Sequence, residues 1–292
     1  MAKIHIVLFL FCILFSCEKP NNNTNVPPVT IDSTKLLPKY DHVLILILEN
    51  KPSERIIGSA NAPFINSLVP NSANFTESYA IEHPSQPNYL DLYSGSNQGV
   101  TDNNTPPAFF TTPNLGSQLI TTGKSFTTYS ESLQSVGYNG YSSMAGYARK
   151  HNPAANWVGT GANQIPSTTN QPFSAFPADY KNLPTISYVV PNIYHDMHDG
   201  TIAEGDTWVM DNLGGYITWA ASNNSLFILT FDEDDGSYNN HISTLFLGQH
   251  VKTGSYSTVI NHFTVLRTLE DLFKLPYAGA ADKEISITNC WK

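Results

Sequence analysis

One serine in the segment HPSQPNYLDLYSGS, residues 83–96, has the setting of a catalytic nucleophile. Ser85 lies between Pro84 and Pro87, which restrict the backbone, and an amphipathic run begins at Asn88. We therefore expect Ser85 at or just before a helix N-terminus, where free N–H groups and the helix dipole favour an anion. The same pattern is also typical of a serine that only caps a helix. A serine hydroxyl needs a neighbouring base or metal to become a good nucleophile, so the choice depends on what other segments bring to it.

Possible metal ligands follow two long apolar runs of the sequence. Glu49 and Asn50 come directly after HVLILIL, and Asp232 and Glu233 come directly after SLFILTF. Because ligands of open α/β sheets collect at the carboxyl ends of the strands, these side chains are expected to lie near one another. A divalent cation held by them would lower the effective pKa of the Ser85 hydroxyl and neutralise phosphate oxygens. Taken alone, Glu49 and Asn50 fit a solvated strand end equally well.

A third apolar run, ISYVV, is followed by a cluster of histidine and aspartate. The segment NIYHDMHDG contains Asn192, His195, Asp196, His198 and Asp199 within eight residues. Carboxylate and imidazole groups at this density are typical of a metal site. The aspartate and glycine content also fits a simple turn.

The acidic segment DEDDG, which begins at Asp232, has a second interpretation as a calcium loop. An EF-hand needs a ligand at the fifth position and a bidentate glutamate at the twelfth, and this chain has Gly236 and Ser243 there. The EF-hand form is therefore excluded. His241, alone before a predicted strand, is more typical of a structural histidine than of a ligand.

The elements that would position these residues alternate between strand and helix. Continuous apolar runs predict parallel strands covered on both faces, and apolar residues at three- and four-residue spacing predict helices. Predicted strands are 42–48, 186–190, 225–231 and 242–248, and predicted helices are 62–69, 88–95, 206–221 and 262–275. Asp206 is the predicted N-cap of the third helix. This alternation indicates an α/β fold with a mostly parallel sheet.

The stretch 97–180 is rich in Asn, Thr, Ser, Gly and Pro and gives weaker signals. We expect insertions and loops around the site there, with one strand near 126–131.

The N-terminal segment predicts export. Residues 1–17 have a lysine, an apolar run and the ending LFSC, which resembles the lipobox in which the cysteine, here Cys17, becomes lipidated. An ordinary signal peptide with an incidental cysteine is the alternative. Residues 18–38 are polar, rich in Asn and Pro, and typical of a flexible tether, so the catalytic domain is expected over 39–292. The expectation is an exported bacterial lipoprotein, anchored to a membrane in the periplasm or at the cell surface.

The charge of the chain bears on nucleic-acid binding, and its cysteine content bears on disulfide bonds. A net charge of −9 without clusters of Lys or Arg argues against nucleic-acid binding. Only Cys290 remains for the folded part, so no disulfide framework is available. We expect a monomer.

Seven segments, in order, resemble one known family. They are LILENKP (46–52), APFINSL (62–68), HPSQPNYLDLYSGS (83–96), ARKHNP (148–153), VVPNIYHDMHD (189–199), GDTWV (205–209) and FDEDDGSYNNHI (231–242). They are similar to the phosphoesterase family of bacterial acid phosphatases and phosphatidylinositol phosphatases. These are relatives of phosphatidylcholine-type phospholipase C in the alkaline phosphatase superfamily. The resemblance covers residues 40–275 and implies a three-layer αβα sandwich.

The resemblance also implies roles for individual residues. Ser85 would accept the phosphoryl group, and Glu49, Asn50, Asp232 and Glu233 would form a metal site beside it. Asp196, His198 and His241 would be further metal ligands, and His83, His195 and Asn88 would line the phosphate pocket or assist proton transfer. Two-metal members of the superfamily have histidine where this chain has Glu233, and often aspartate near Asn192. The number of metals, one or two, therefore stays open.

The expected activity is metal-dependent hydrolysis of phosphoric monoesters through a phosphoserine. One alternative is a phosphodiesterase or phospholipase C acting on lipid head groups, and another is a non-catalytic calcium-binding surface protein. The substrate would be a phosphorylated small molecule or a phospholipid head group. Oxygen ligands suit magnesium, manganese or calcium, whereas histidines also admit zinc.

Overall fold

The computed structural model describes residue 1 and residues 37–292. The predicted signal and nearly all of the predicted tether lie outside the described residues. The strands are β1 (His42–Leu48), β2 (Ala73–Phe75), β3 (Ser78–Tyr79), β4 (Phe126–Ser130), β5 (Asn170–Pro172), β6 (Ile186–Val190), β7 (Ser225–Phe231), β8 (Thr244–Gly248), β9 (Gly254–Tyr256) and β10 (Ile260–Asn261). The α-helices are α1 (Ser53–Ile56), α2 (Pro63–Leu68), α3 (Ser85–Ser94), α4 (Leu115–Thr121), α5 (Ile202–Ala220) and α6 (His262–Phe273).

Eight strands form a central sheet in the order β5-β4-β6-β1-β7-β8-β2-β9. Strands β5 to β7 of this order are mutually parallel, and β8 is antiparallel to both of its neighbours, β7 and β2. A mostly parallel sheet is confirmed. The prediction that 242–248 is another parallel strand was wrong, because the connection 232–243 contains no helix that could cross a face of the sheet, and β8 returns antiparallel to β7.

Side chains of β1 alternate between two apolar layers. Val43, Ile45 and Ile47 pack with residues of α3, α4 and α6, whereas Leu44 and Leu46 pack with residues of α2 and α5. Burial on both faces explains why this strand is apolar at every position rather than at every second one. The result is the expected three-layer αβα sandwich.

The register between β1 and β7 determines which acidic residues meet. Leu48 is paired with Phe231 in the parallel ladder. The next residues, Glu49 and Asp232, therefore leave the sheet side by side at its carboxyl edge.

Helix α3 lies entirely in the interior, with all ten residues buried. It ends at Gly95, which has a positive φ of 68°. A Cβ at Gly95 would lie 2.1 Å from the Ala278 carbonyl oxygen. Glycine is therefore required both for the left-handed conformation and for the close approach of the 278–280 backbone.

The prediction that Asp206 caps its own helix was wrong. Helix α5 begins at Ile202 with a capping box made by Thr201 and Glu204. The carboxylate of Asp206 instead accepts hydrogen bonds from the N–H groups of Phe64 and Ile65, at 2.9 and 2.8 Å. It therefore caps α2 from a different helix, which a local sequence pattern does not reveal.

The start of one helix also differs from the sequence expectations. Helix α3 begins at Ser85 rather than Asn88, because Pro87 is tolerated in a first helical turn. The strand expected near 126–131 is β4, and the surrounding stretch also contains α4 and β5. Among the described residues, no helix has the length and apolarity needed to cross a membrane. Cys290 is a buried free thiol.

Two buried carboxyl groups should make folding stability fall as the pH rises. Burial raises the pKa of Asp91 in α3 to about 8, with Glu82 adding to the effect, and burial raises the pKa of Glu270 in α6 to about 8. In the unfolded chain both groups titrate near pH 4. Between these values the folded state binds more protons, so the unfolding free energy decreases with rising pH. We expect the D91N/E270Q variant to lose ~2 kcal/mol or more of this decrease between pH 5 and pH 8.

Urea denaturation of both proteins across this pH range measures the difference. Exposed Asp282 provides the control, since Asp282→Asn removes a carboxylate without removing a buried one. A parallel decline in the double variant and the parent would contradict the assignment.

Candidate active site

Ser85 occupies the first position of α3, and its side chain is turned toward the acidic edge of the sheet. Its Oγ lies 3.0 Å from Glu49 Oε2 and 2.8 Å from Glu233 Oε1. Asn50 Nδ2 lies 3.4 Å from the same Oγ and donates to Glu233 Oε1 at 3.0 Å. The structure thus brings Ser85, at the start of α3, into contact with Glu49 and Glu233, which follow β1 and β7.

Asn50 reaches this cluster through a left-handed backbone conformation, with φ of 47°. Asparagine adopts this region more readily than most residues. Its backbone N–H donates to Asp232 Oδ1 at 2.9 Å, which links the ends of β1 and β7. Residues held in uncommon backbone conformations concentrate at functional sites. Here the conformation of Asn50 directs its side-chain amide toward Ser85.

The donor atoms around Ser85 fit a divalent cation. One hydroxyl proton cannot be shared by two carboxylate oxygens at once, yet Ser85, Glu49 and Glu233 bring three oxygens together. Asp232 Oδ2 and Asn50 Oδ1 are buried and have no hydrogen-bond partner among the described residues. Oxygens crowded in this way, without protons to bridge them, suit a hard cation such as magnesium, manganese or calcium.

The carboxyl groups of this cluster repel one another. Burial, together with the charges of Glu49 and Glu233, raises the pKa of Asp232 well above its usual range. Burial also raises the pKa of Glu233 against the opposing effects of Ser85 and His83. A bound cation would remove this repulsion.

His151 forms a second buried part of the site, and it was not among the residues selected from the sequence. Its Nε2 lies 3.0 Å from Glu49 Oε1 and its Nδ1 lies 2.7 Å from Asp196 Oδ2. The ring also stacks on Tyr89, with ring centroids 5.4 Å apart. Two carboxylates lie against opposite nitrogens of the ring, and their negative charges favour the imidazolium.

The pKa values of the His151 pair agree with that geometry. Burial alone would lower the pKa of His151, but Glu49 and Asp196 outweigh it and raise the pKa to about 10. Burial alone would raise the pKa of Glu49, but the charge and hydrogen bond of His151 hold it at about 2. Glu49 is therefore a carboxylate at neutral pH.

A possible metal-binding triad overlaps this pair. Glu49, His151 and His198 each offer one ligand atom, and these atoms lie within 4.8 Å of one another. His198 also contacts Lys150, with Nζ 3.0 Å from Nε2. To ligate a metal His151 would have to lose one of its protons, and neutral imidazole nitrogens admit zinc as well as the harder cations.

Asp196 and His198 are held near the site by an unusual turn. Met197 between them has φ of 79°, and Asp196 Oδ1 accepts from the His198 N–H at 2.8 Å. The Lys51 ammonium donates to the Met197 carbonyl oxygen at 2.9 Å. Both predicted ligands thus lie around His151 rather than around Ser85.

His83 and His262 flank the acidic cluster from two sides. His83 is 46% exposed, contacts Glu233 Oε2 through Nδ1, and lies 3.4 Å from Asp234 Oδ1 through Nε2. His262 is buried and donates from Nε2 to the Asp232 carbonyl oxygen at 2.7 Å. Burial lowers the pKa of His262 to about 4, so it is a neutral residue that positions the end of β7.

Two further histidines suggested by the sequence as site residues, His241 and His195, are engaged away from Ser85. The ring nitrogens of His241 lie 2.7 Å from Glu54 Oε1 and 2.9 Å from the Thr76 carbonyl oxygen, so both are engaged elsewhere. Nδ1 of His195 lies 2.8 Å from Glu131, and its ring stacks on Trp208.

Asn88 has a structural rather than a pocket-lining position. Its Oδ1 accepts from the N–H groups of Ile81 and Glu82, and its Nδ2 donates to the Glu82 carbonyl at 2.7 Å. It therefore fixes the loop that leads into α3.

The signal that could have located His151 is the segment ARKHNP. It was among the seven family-like segments, but it follows no apolar strand, so the expectation that ligands lie at strand ends did not select it.

A serine at a helix N-terminus thus faces acidic side chains at the carboxyl edge of a mostly parallel αβα sandwich. The solved structure of an alkaline phosphatase superfamily protein from Vibrio parahaemolyticus shares this fold, with a TM-score of 0.57 and 15% identity, covering 82% of this chain and 67% of that one. Residues 59–276 match the model of the Phosphoesterase family. The chain belongs to this family and is an enzyme that hydrolyses phosphate esters.

Two relatives of known name are similar over most of the chain. A phosphatidylinositol-3-phosphatase from Mycobacterium tuberculosis is 45% identical over 268 residues, covering 91% of this chain and 87% of that protein. A probable acid phosphatase from Kluyveromyces lactis is 26% identical, covering 85% of this chain but only 62% of the relative. The chain thus spans less than two thirds of that yeast protein.

Proposed function

We propose that the protein is a metal-dependent phosphomonoesterase that works through a phosphoserine at Ser85. The observation that carries the proposal is the position of Ser85 Oγ, 3.0 and 2.8 Å from the carboxylates of Glu49 and Glu233. The names of the two relatives, a phosphatidylinositol phosphatase and an acid phosphatase, support a monoester as the substrate.

Helix α3 directs Ser85 toward a phosphoryl group. The positive end of the helix dipole lies at Ser85 and favours the negative charge of the substrate. Asn103 fixes the first turn, because its Oδ1 accepts from the Gln86 N–H at 3.1 Å. The hydroxyl itself is oriented by its contacts with Glu49 and Glu233, and such positioning accounts for much of the rate enhancement in phosphoryl transfer.

The metal, when bound, would lower the pKa of the Ser85 hydroxyl and offset charge on the phosphate oxygens. Glu49, Asn50, Asp232 and Glu233 would hold it, with Ser85 Oγ among the same oxygens. Glu49 is well suited to this because it remains ionised through its contact with His151.

His83 and His151 have different roles in the proposed mechanism. His83 is partly exposed and lies beside Glu233, so it can exchange protons with water during formation and hydrolysis of the phosphoserine. Buried His151 orients Glu49 and supplies a fixed positive charge near the transferred group.

A trapped intermediate tests the proposal directly. The metal-loaded enzyme is mixed with 4-nitrophenyl phosphate, quenched in acid and digested, and the peptide containing Ser85 is examined by mass spectrometry. We expect this peptide to carry one phosphoryl group. Turnover without any phosphorylated peptide, under conditions that trap a control phosphoserine enzyme, would argue for direct attack by water.

Metal dependence is tested on the same protein. Chelation should stop release of inorganic phosphate, and magnesium, manganese, calcium and zinc, added back singly, should identify the effective ion. Full activity in the metal-free enzyme would overturn the proposed metal dependence. Release of a phosphorylated alcohol instead of inorganic phosphate would indicate a phosphodiesterase.

A further inference from the structure

The start of α3 has few free backbone donors for an anion. At a helix start, the N–H groups of the cap residue and of the first three residues have no partner within the helix. In α3 two of these four residues, Pro84 and Pro87, have no N–H at all. The Gln86 N–H donates to Asn103 Oδ1 at 3.1 Å. The Ser85 N–H remains, and no acceptor for it is found in the described part of the chain.

Asn103 brings a second N–H donor to the same place. Because the Gln86 N–H can only donate, the atom of Asn103 that faces it is the amide oxygen. Nδ2 of this amide lies ~2.3 Å from Oδ1, since both atoms are bonded to one carbon. No acceptor for Nδ2 is found among residues 37–292. An amide N–H donor without a partner therefore lies next to the residue that follows Ser85.

The loop that carries Asn103 is held against the helix start by the side chain of Gln86. Gln86 Nε2 donates to the Asn104 carbonyl at 2.8 Å and to the Asp102 carbonyl at 3.4 Å. Gln86 is buried, and within the loop the Asn104 N–H donates to Asp102 Oδ1 at 2.9 Å. Donors that are fixed in this way need little reorganisation when charge develops on a bound group.

The donors at the helix start complement the acidic side chains around Ser85. Ser85 Oγ contacts the carboxylates of Glu49 and Glu233, which would hold the proposed cation. That cation would neutralise only the phosphoryl oxygens that face it. The other oxygens need N–H donors, and the Ser85 N–H and Asn103 Nδ2 are donors without acceptors of their own in the described structure. Such donors stabilise the charge on the oxygens during phosphoryl transfer.

We propose that Asn103 is a substrate-binding residue, whose Nδ2 donates to an oxygen of the phosphoryl group at Ser85, beside the Ser85 N–H. The proposal rests on the proposed function, because that function places the phosphoryl group at Ser85. It gives Asn103 two roles, since one atom of its amide caps α3 and the other binds the substrate.

The substitution Asn103→Asp separates substrate binding from helix capping. It keeps an oxygen for the Gln86 N–H and puts a negative charge at the positive end of the helix dipole, so α3 should remain as stable as in the parent. It removes the Nδ2 donor and places that charge beside the phosphoryl group. Affinity of the metal-loaded enzyme for methylphosphonate, measured by calorimetry, should therefore fall at least about tenfold. The kcat/KM for 4-nitrophenyl phosphate should fall by a similar factor.

A second variant, Asn103→Ala, removes both the donor and the acceptor. It should also weaken methylphosphonate binding by about tenfold, and it should lower Tm because the Gln86 N–H loses its partner. Both variants should keep the metal content of the parent after dialysis, because Asn103 makes no hydrogen bond to a proposed metal ligand in the described structure.

Thr101→Asp is the control for charge, since Thr101 is exposed on the same loop. This variant should bind methylphosphonate within about twofold of the parent, because solvent screens a charge at an exposed position.

Methylphosphonate affinity like that of the parent in Asn103→Asp would leave Asn103 as a helix cap only and would overturn its role in substrate binding. Loss of metal from Asn103→Asp would assign the effect to the metal site and would overturn that role as well. If Ser85→Ala is inactive in these cases, the proposed function still stands. Failure of the parent enzyme to bind methylphosphonate would overturn both proposals.

Discussion

Replacement of Ser85 by alanine is expected to lower kcat for 4-nitrophenyl phosphate by at least ~10³-fold. The variant keeps the carboxylates of Glu49 and Glu233 but has no oxygen to attack phosphorus. Because alanine is well tolerated in a helix and the lost side chain is small, the fold should persist. Initial rates at saturating substrate and metal measure the loss, and circular dichroism checks the fold.

Ser94 at the end of the same helix is the matched control. It is also buried, and its Oγ donates to the Leu90 carbonyl at 2.9 Å, which is a structural contact. Ser94→Ala should cost ~1 kcal/mol in stability and leave kcat within about twofold of the parent. Comparable activity in Ser85→Ala and Ser94→Ala would remove Ser85 from the mechanism.

The second large effect is expected from Asp232→Asn. This change keeps the shape of the side chain but removes a charge from the proposed oxygen site. Affinity for the activating cation should fall by about 10²-fold or more, and kcat at fixed metal should fall with it. Metal content after dialysis, measured by atomic emission, gives a readout that does not depend on activity.

Stability without metal separates a ligand role from simple structural damage. The repulsion that raises the pKa of Asp232 in the metal-free protein is absent from the asparagine variant. Metal-free Asp232→Asn should therefore unfold at the same temperature as the metal-free parent or higher, whereas the metal-loaded parent should exceed the metal-loaded variant. A variant that is less stable in both conditions, yet retains its metal, would contradict the assignment.

Asp235 supplies the control for this experiment. It lies three residues further along the same loop and pairs with Arg55 at 2.7 Å on the surface. Asp235→Asn should change neither metal content nor kcat by more than about twofold.

The two variants also report on different parts of the site. Ser85→Ala removes the group that forms the new bond, so it should retain metal and still bind methylphosphonate. Asp232→Asn should lose metal first and activity as a consequence. Raising the metal concentration should therefore restore part of the activity of Asp232→Asn and none of that of Ser85→Ala.

Much of the architecture is determined by local patterns of the sequence. β1, β6 and β7 have the predicted bounds, because a strand buried on both faces has to be apolar at every position. The side chains directly after β1 and β7 could then be selected as a site, since strand ends are where a parallel sheet collects ligands.

The positions that sequence reasoning missed depend on contacts between distant segments. His151 lies in a loop that follows no strand, and it is its contacts with Glu49 and Asp196 that place it in the site. His241 sits in a family-like segment, but Glu54 engages its ring from another part of the chain. Asp206 looks like the cap of its own helix and caps α2 instead.

The sequence by itself determined the α/β class with a mostly parallel sheet, the strand ends that carry acids, and the serine at a helix start, because each follows from periodicity or from neighbours within a few residues. Only the tertiary structure decided which imidazoles lie against the carboxylates that contact that serine. That outcome depends on the register between β1 and β7 and on how distant loops pack, and such long-range geometry is not encoded in any single short segment.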